Sequence, residues 1–229
     1  LWTMGLLYFK EKKYSESEKY FGKMQPNEEL PEVDFETEAV IESPVSKEVY
    51  GLDAENIMIG WKYPGAGTED ALTADVVSYI LSNGSAGLMD INLNQRQKIL
   101  GADCMSYTRP DAGEFLIMAN PKHGQTLEEV RDLVLAEIAK LRNGEFDEEL
   151  LVGTLNNLRL HQMKSLEDNS DRADMFVQSF INGTDWADEV NLLENMSKIP
   201  KQDVVDWANK YLDDNSYVVV YKRQGEDKN

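Results

Sequence analysis

The run Tyr217-Val218-Val219-Val220-Tyr221 restricts the fold more than any other feature of this chain. β-Branched and aromatic residues in an unbroken row read as a strand. It follows a long stretch of helical pattern that starts at Thr126, so no neighbouring segment can pair with it as a hairpin. Left alone, it would carry unpaired backbone groups and apolar side chains. It must therefore return to strands in the first half of the chain. Period 2 sets Val218 and Val220 on one face and Tyr217, Val219 and Tyr221 on the other, and one set is expected to be deeply buried.

The available partners come in pairs. Val49–Leu52 and Ile57–Trp61 flank the turn-prone Asp53-Ala54-Glu55-Asn56, which predicts a hairpin. Residues 102–109 and 114–120 read as two strands joined by turn chemistry from Arg109 to Gly113. Helices fill the remainder. Thr68 is a good N-cap for a helix over Ala71, Leu72, Val76, Tyr79 and Ile80, ended by Asn83-Gly84. Residues 86–100 predict a second helix, stopped by Gly101. Thr126 caps a helix that ends at Asn143-Gly144. Further helices are predicted from Asp147 to Leu166 and over residues 171–181, 185–196 and 201–212. The stretch from Met163 to Met175 reads as core filling. Strands in neighbouring pairs, then helices, then one closing strand, describe an α+β fold (an α/β roll). Its sheet should be mostly antiparallel, with helices packed on one face.

The organisation expected along the chain has four parts. Residues 1–24 form an aromatic segment. Either Gly5–Phe9 is a strand followed by a short helix, or Gly5, Tyr8, Ser17 and Phe21 mark one helical hairpin of the tetratricopeptide kind. Residues 25–48, with Pro26, Pro31 and Pro44 and many acids, form an extended connector. Residues 49–225 make the main domain, and residues 226–229 a tail. The chain opens at Leu1 without a basic or signal-like start, and reads as a piece of a longer protein.

Composition excludes several functions. With 23 Lys and Arg against 42 Asp and Glu, the formal charge is −19, which opposes binding to nucleic acid or to an anionic membrane surface. No apolar run is long enough to span a membrane. The only cysteine, Cys104, excludes an internal disulfide and a Cys-based zinc cluster. It fits any compartment, the bacterial periplasm or export included. It falls in a predicted strand, where an inert buried thiol is expected. The two histidines, His123 and His161, belong to no zinc-binding spacing, and each is expected on a loop or helix surface. The chain has neither a Gly-x-Ser-x-Gly elbow nor a phosphate-binding glycine loop. No catalytic, cofactor-binding or metal-binding residue is therefore assigned.

Several strings in order carry a family resemblance. They are Glu18–Met24 before the acidic connector, Ile57–Gly65, Val76–Gly84, Leu93–Tyr107, Lys201–Val205 through Tyr211-Leu212, and Tyr217–Lys222. Over residues 14–225 the sequence resembles the second-type, non-zinc-binding domain of the insulinase/pitrilysin/mitochondrial processing peptidase family of zinc metallopeptidases. The resemblance implies an α/β roll in a zinc-dependent endopeptidase whose His-x-x-Glu-His site, and its zinc, belong to a preceding domain. It implies a wall for a peptide chamber, with the other domains of the peptidase and an extended peptide as partners. Cut free, such a domain is expected to self-associate. The family's second half also carries an Arg and a Tyr that assist substrate binding. Aligning Leu100-Gly101 puts Gln95 and Ala102 at those places, with Arg96 adjacent. The alternatives are an inactive peptidase-like binding or assembly subunit, and an adaptor for which residues 1–24 are the last helical repeat.

Overall fold

The computed structural model describes residues 1–25 and 41–225. They fall into two compact units, the first holding residues 1–25 and the second residues 41–225. The remainder of the predicted connector and the predicted tail lie outside the described residues.

The first unit is a helical hairpin, α1 (Trp2–Lys10) and α2 (Tyr14–Phe21). The strand reading of Gly5–Phe9 gives way to helix. Gly5 explains why the two helices can close on each other. A Cβ there would stand 2.8 Å from the Phe21 ring, so only glycine lets the aromatic edge lie on the backbone. Ser17 Oγ donates to the Gly5 carbonyl at 2.8 Å, and the Tyr8 and Tyr20 rings stack with centroids 5.4 Å apart.

The second unit is built on one sheet. Its strands are β1 (Val45–Gly51), β2 (Asn56–Pro64), β3 (Gly101–Thr108), β4 (Ala112–Asn120) and β5 (Val218–Gln224), in the order β1-β5-β2-β4-β3. Every pairing is antiparallel except β1 with β5. The closing strand does return to the first half, but it changes the expected hairpin. β5 inserts between β1 and β2, with Val45 opposite Val218 on one side and Ile59 opposite Val219 on the other. The physical reason is edge cost. The apolar β5 gains a partner on both flanks, while β1, with Lys47 and Glu48, tolerates the solvent edge. β1 also starts at Val45, inside the predicted connector, and Leu52 lies beyond it and is 84% exposed.

Alternation sorts the sheet's faces. Ile57, Ile59, Trp61 and Tyr63 of β2, Phe115, Ile117 and Ala119 of β4, and Tyr217, Val219 and Tyr221 are buried. Val218 and Val220 are half-buried. Over the buried face lie α3 (Glu69–Leu81), α4 (Leu127–Arg142) and α9 (Lys201–Tyr211). Trp207 of α9 is their common anchor. Its ring packs on Tyr63 and Phe115 at centroid distances of 5.6 and 5.4 Å, and its indole N–H donates to the Asp70 carbonyl at 2.8 Å. Thr68 caps α3 by accepting from the Ala71 amide at 3.1 Å. Thr126 caps α4 in a reciprocal box with Glu129, which satisfies two otherwise orphaned amides.

Three helical expectations change. Residues 86–100 hold only a π-helical segment, Asp90–Gln95. Asp90 and Asn94 instead bond the backbone of Asn83, Gly87 and Ala102, tying the segment to its flanks, and Gln97 has φ of 50°, which ends the helical path. The helix over 185–196 divides at Asn191 into α7 (Trp186–Val190) and α8 (Leu192–Met196). Between them and α4 lie α5 (Glu148–Ser165) and α6 (Asn169–Asn182). The stretch from Met163 to Met175 is not core filling: Met163 is 60% exposed.

Truncating Phe115, which has no exposed surface, to Ala should destabilise the second unit by about 3–5 kcal/mol. Thr126→Ala should cost about 1 kcal/mol through loss of the cap. Urea unfolding of the two variants checks the ranking, and a Thr126 effect as large as that of Phe115 would contradict this placement of the core.

Candidate functional site

The residues that the family resemblance singles out lie where α3 hands the chain to β3. α3 ends at Leu81, and the polypeptide turns back through the π-helical segment before entering the sheet. Asp90 organises this return. Its carboxylate accepts from the Asn83 amide at 2.8 Å and the Gly87 amide at 3.1 Å. Ser82 Oγ lies 3.2 Å from Asp90 and 3.1 Å from Asp103, sharing its proton between the two carboxylates. Asp90 is buried, and these donors are what make a buried carboxylate tolerable. On the far side of the segment Asn92 donates to Glu137 of α4 at 2.8 Å. That carboxylate is itself buried and receives Lys140 at 2.7 Å.

Asn94 completes the arrangement. Its amide donates to the Ala102 carbonyl at 2.9 Å and accepts from the Ala102 amide at 2.8 Å. It thus gives edge strand β3 the pair of bonds that a neighbouring strand would supply. The Cys104 amide donates to the side chain of Asp103 at 2.9 Å. Side chains thereby satisfy the outer edge of β3 at its start.

At the two aligned positions the chemistry is structural. Gln95 is exposed, and its amide donates to the Ser85 carbonyl at 2.6 Å. Ala102 is buried, with both backbone groups held by Asn94. Arg96, the adjacent cation, is exposed. No cation and no phenol stands at the matched places. His123 and His161 are exposed on separate elements, the loop before α4 and the last third of α5. Cys104 is buried, and burial, reinforced by the charges of Asp103 and Asp90, holds its thiol well above the ordinary value. A thiol so placed is not a nucleophile. Among the described residues no three His, Cys, Asp or Glu side chains converge to hold a metal ion. The side chains present do not fit a catalytic zinc, which needs three protein ligands and an open position.

A cleft of about 710 Å³ opens between the N-terminal end of α3 and α7–α8. Among the described residues, Glu69, Asp75, Asp188, Glu189 and Asp203 contribute to its walls, against one cation, Lys198. Lys198 is already paired with Glu194 at 3.0 Å. Asp75 is hydrogen-bonded by Ser106 of β3, and burial raises its carboxyl above the ordinary range. These residues were not legible as a set, because α3, β3 and α7 meet only in the fold. The Asp90–Asn94 network did leave a signal: polar side chains interrupting an apolar run from Leu88 to Leu93.

Two variants probe this region. Asn94→Ala leaves the buried Ala102 amide and carbonyl unpaired and should destabilise by about 1–3 kcal/mol. Exchange of the Ala102 amide should accelerate, and unchanged exchange would refute the edge-capping role. For Asp75 the sign follows from its raised folded-state pKa. The folded protein holds the proton more tightly, so stability is fully present below the unfolded value and declines as pH rises through the folded one. Asp75→Asn removes that decline. Its melting temperature relative to the parent chain should climb from pH 4 to pH 7, and a constant difference across that range would contradict the assignment.

Comparison with known proteins agrees with this geometry. The sequence matches the Peptidase M16 inactive domain family over residues 11–158. It is 25% identical over 178 residues to the zinc protease PqqE of Helicobacter pylori, covering 75% of this chain and 38% of that protein. The fold is similar to that of a protease from Helicobacter pylori, with a TM-score of 0.83 at 20% identity, covering 93% of this chain and 52% of that one. It is also similar to a peptidase M16 inactive domain from Pseudomonas fluorescens, with a TM-score of 0.75 at 13% identity, covering 96% and 52%. The chain therefore spans about half or less of the length of these relatives. Matched over residues 11–158, more than half of its length, the chain belongs to the Peptidase M16 inactive domain family.

Proposed function

We propose that this chain serves as the non-catalytic domain of a zinc-dependent metalloendopeptidase of the insulinase/pitrilysin type. It walls the chamber that receives an extended peptide and packs against a preceding domain that carries the zinc. The observation that supports this reading is the fate of the substrate-assisting positions. Gln95 is bound to its own loop, and Ala102 is bound by Asn94. A domain that has given these positions to its own stability contributes shape and surface rather than chemistry. The family match and the similarity to a zinc protease point the same way. Zinc, the partner domain and the peptide belong to this proposal as features of the parent protein.

The test joins this chain to the preceding part of its parent, produced separately. With an unfolded peptide as substrate, this chain alone should give no chelator-sensitive cleavage. The preceding part should co-purify with it and cleave faster in its presence. A preceding part that reaches the same rate without this chain would refute the chamber role. A preceding sequence without His-x-x-Glu-His would instead favour an inactive assembly subunit.

A further inference from the structure

The sheet is apolar on both sides. Directly opposed residues share a face, so the register identifies the side turned away from the buried core. Met58 stands opposite Val220 and Met118, Leu116 opposite Met105, and Val45 opposite Val218. All of them keep part of their surface free, and Val49 and Tyr107 on the same side are exposed. Gly60 lies between Val218 and Leu116. A Cβ there would stand 2.9 Å from Leu116 Cδ2, so the leucine closes over the gap at the centre. α3, α4 and α9 lie over the other face and leave this one uncovered. An antiparallel sheet with one solvated face alternates apolar with polar residues. Here Ile57-Met58-Ile59, Phe115–Ala119 and Val218–Tyr221 run on without a polar residue, the pattern of strands covered on both sides.

Charge follows the same layout. By register the charges on this side are Lys47, Lys62, Lys222, Asp103 and Glu114, three bases against two acids in a chain that holds 23 against 42. Each sits on an edge strand or toward a strand end. An apolar centre with a charged rim is the anatomy of an interface. Size and charge select the occupant. The matched solved relatives are nearly twice as long as this chain, which leaves room for a second body of similar size. A second copy of this chain would instead bring together two bodies of net charge −19, which repel. We infer that the uncovered face of the sheet is where the preceding domain of the parent protein packs, laying an apolar element across Met58, Leu116, Met118 and Val220. The inference rests on the reading proposed above in one respect, that a preceding domain exists. It needs neither zinc nor a peptide chamber.

The test uses the 229-residue chain and the preceding part of its parent. Cys104 is buried and its thiol is held well above the ordinary value, so a cysteine placed elsewhere is the one that maleimide reads. Met118→Cys reports on the open face and Glu149→Cys on the helical layer. In the complex Met118→Cys should label roughly tenfold or more slowly than in the free chain, and Glu149→Cys within about twofold of its free rate, as expected when one surface alone leaves the solvent. Met118→Lys should weaken the complex roughly tenfold or more. The urea midpoint of the free chain should stay in place, because a lysine on the open side reaches water, and this measurement separates a lost interface from a lost fold. No complex, a Met118→Cys as reactive in the complex as alone, or an equal weakening by Glu149→Lys would overturn the inference. So would a dimer of the chain, seen in sedimentation, that dissolves on Met118→Lys. A complex formed through this face by a preceding part that cuts no peptide sinks the peptidase reading and leaves this one standing. Faster cleavage with Met118→Cys still fully reactive does the reverse.

Discussion

The second unit depends on one pairing event, the seating of β5 between β1 and β2. Among the described residues β1 has no strand partner but β5, so its ladder depends on that pairing. β5 also brings α9 into place, and with it Trp207, whose ring sits among Tyr63, Phe115 and Tyr211. At its far end Arg223 reaches Glu48 of β1 at 2.8 Å and Glu128 of α4 at 2.6 Å. A strand from the end of the chain therefore joins an edge strand, the sheet centre and the helical layer. Contacts so distant in sequence are closed at a large entropic cost. The apolar surface buried along β5 and β2 is what offsets it.

Local chemistry made most of the elements legible. Thr68 and Thr126 are capping residues wherever they precede a helical pattern, and both cap here through their side chains. Alternation in Tyr217–Tyr221 separated the two faces, and the covered side of the sheet proved to hold Tyr217, Val219 and Tyr221. The order of strands was not legible. Asp53-Ala54-Glu55-Asn56 has the composition of a hairpin turn, and nothing local says that a third strand will come between its arms. Residues 86–100 failed for a related reason. Their apolar spacing suits a helix, but Asp90 and Asn94 bond to backbone groups that only the fold brings near.

The region between α3 and β3 shows how a site can be read through what its residues are bound to. Gln95, Asn94 and Asp90 are polar enough to suggest chemistry, yet each is engaged by backbone within its own loop or strand. Two distant histidines and one cysteine were legible in the sequence, and they gave no catalytic expectation. The acidic cleft was not, because Asp75, Asp203 and Glu189 come from three helices. The stretch from Met163 to Met175 was read as core filling from its helical spacing, yet Met163 is 60% exposed. An apolar period tells which residues share a face and not which way that face turns.

The parallel pairing of β1 and β5 has a mechanical consequence. The chain enters this unit at the start of one strand and leaves at the end of its neighbour, with both running the same way. Entry and exit therefore lie about one strand length apart, roughly 20 Å, at opposite ends of a common ladder. Tension along the polypeptide loads that ladder in shear, so its hydrogen bonds share the force. A terminal hairpin would open one bond at a time. Placed within a longer chain, this unit transmits a pull across its sheet edge and yields only when the whole β1–β5 seam slips.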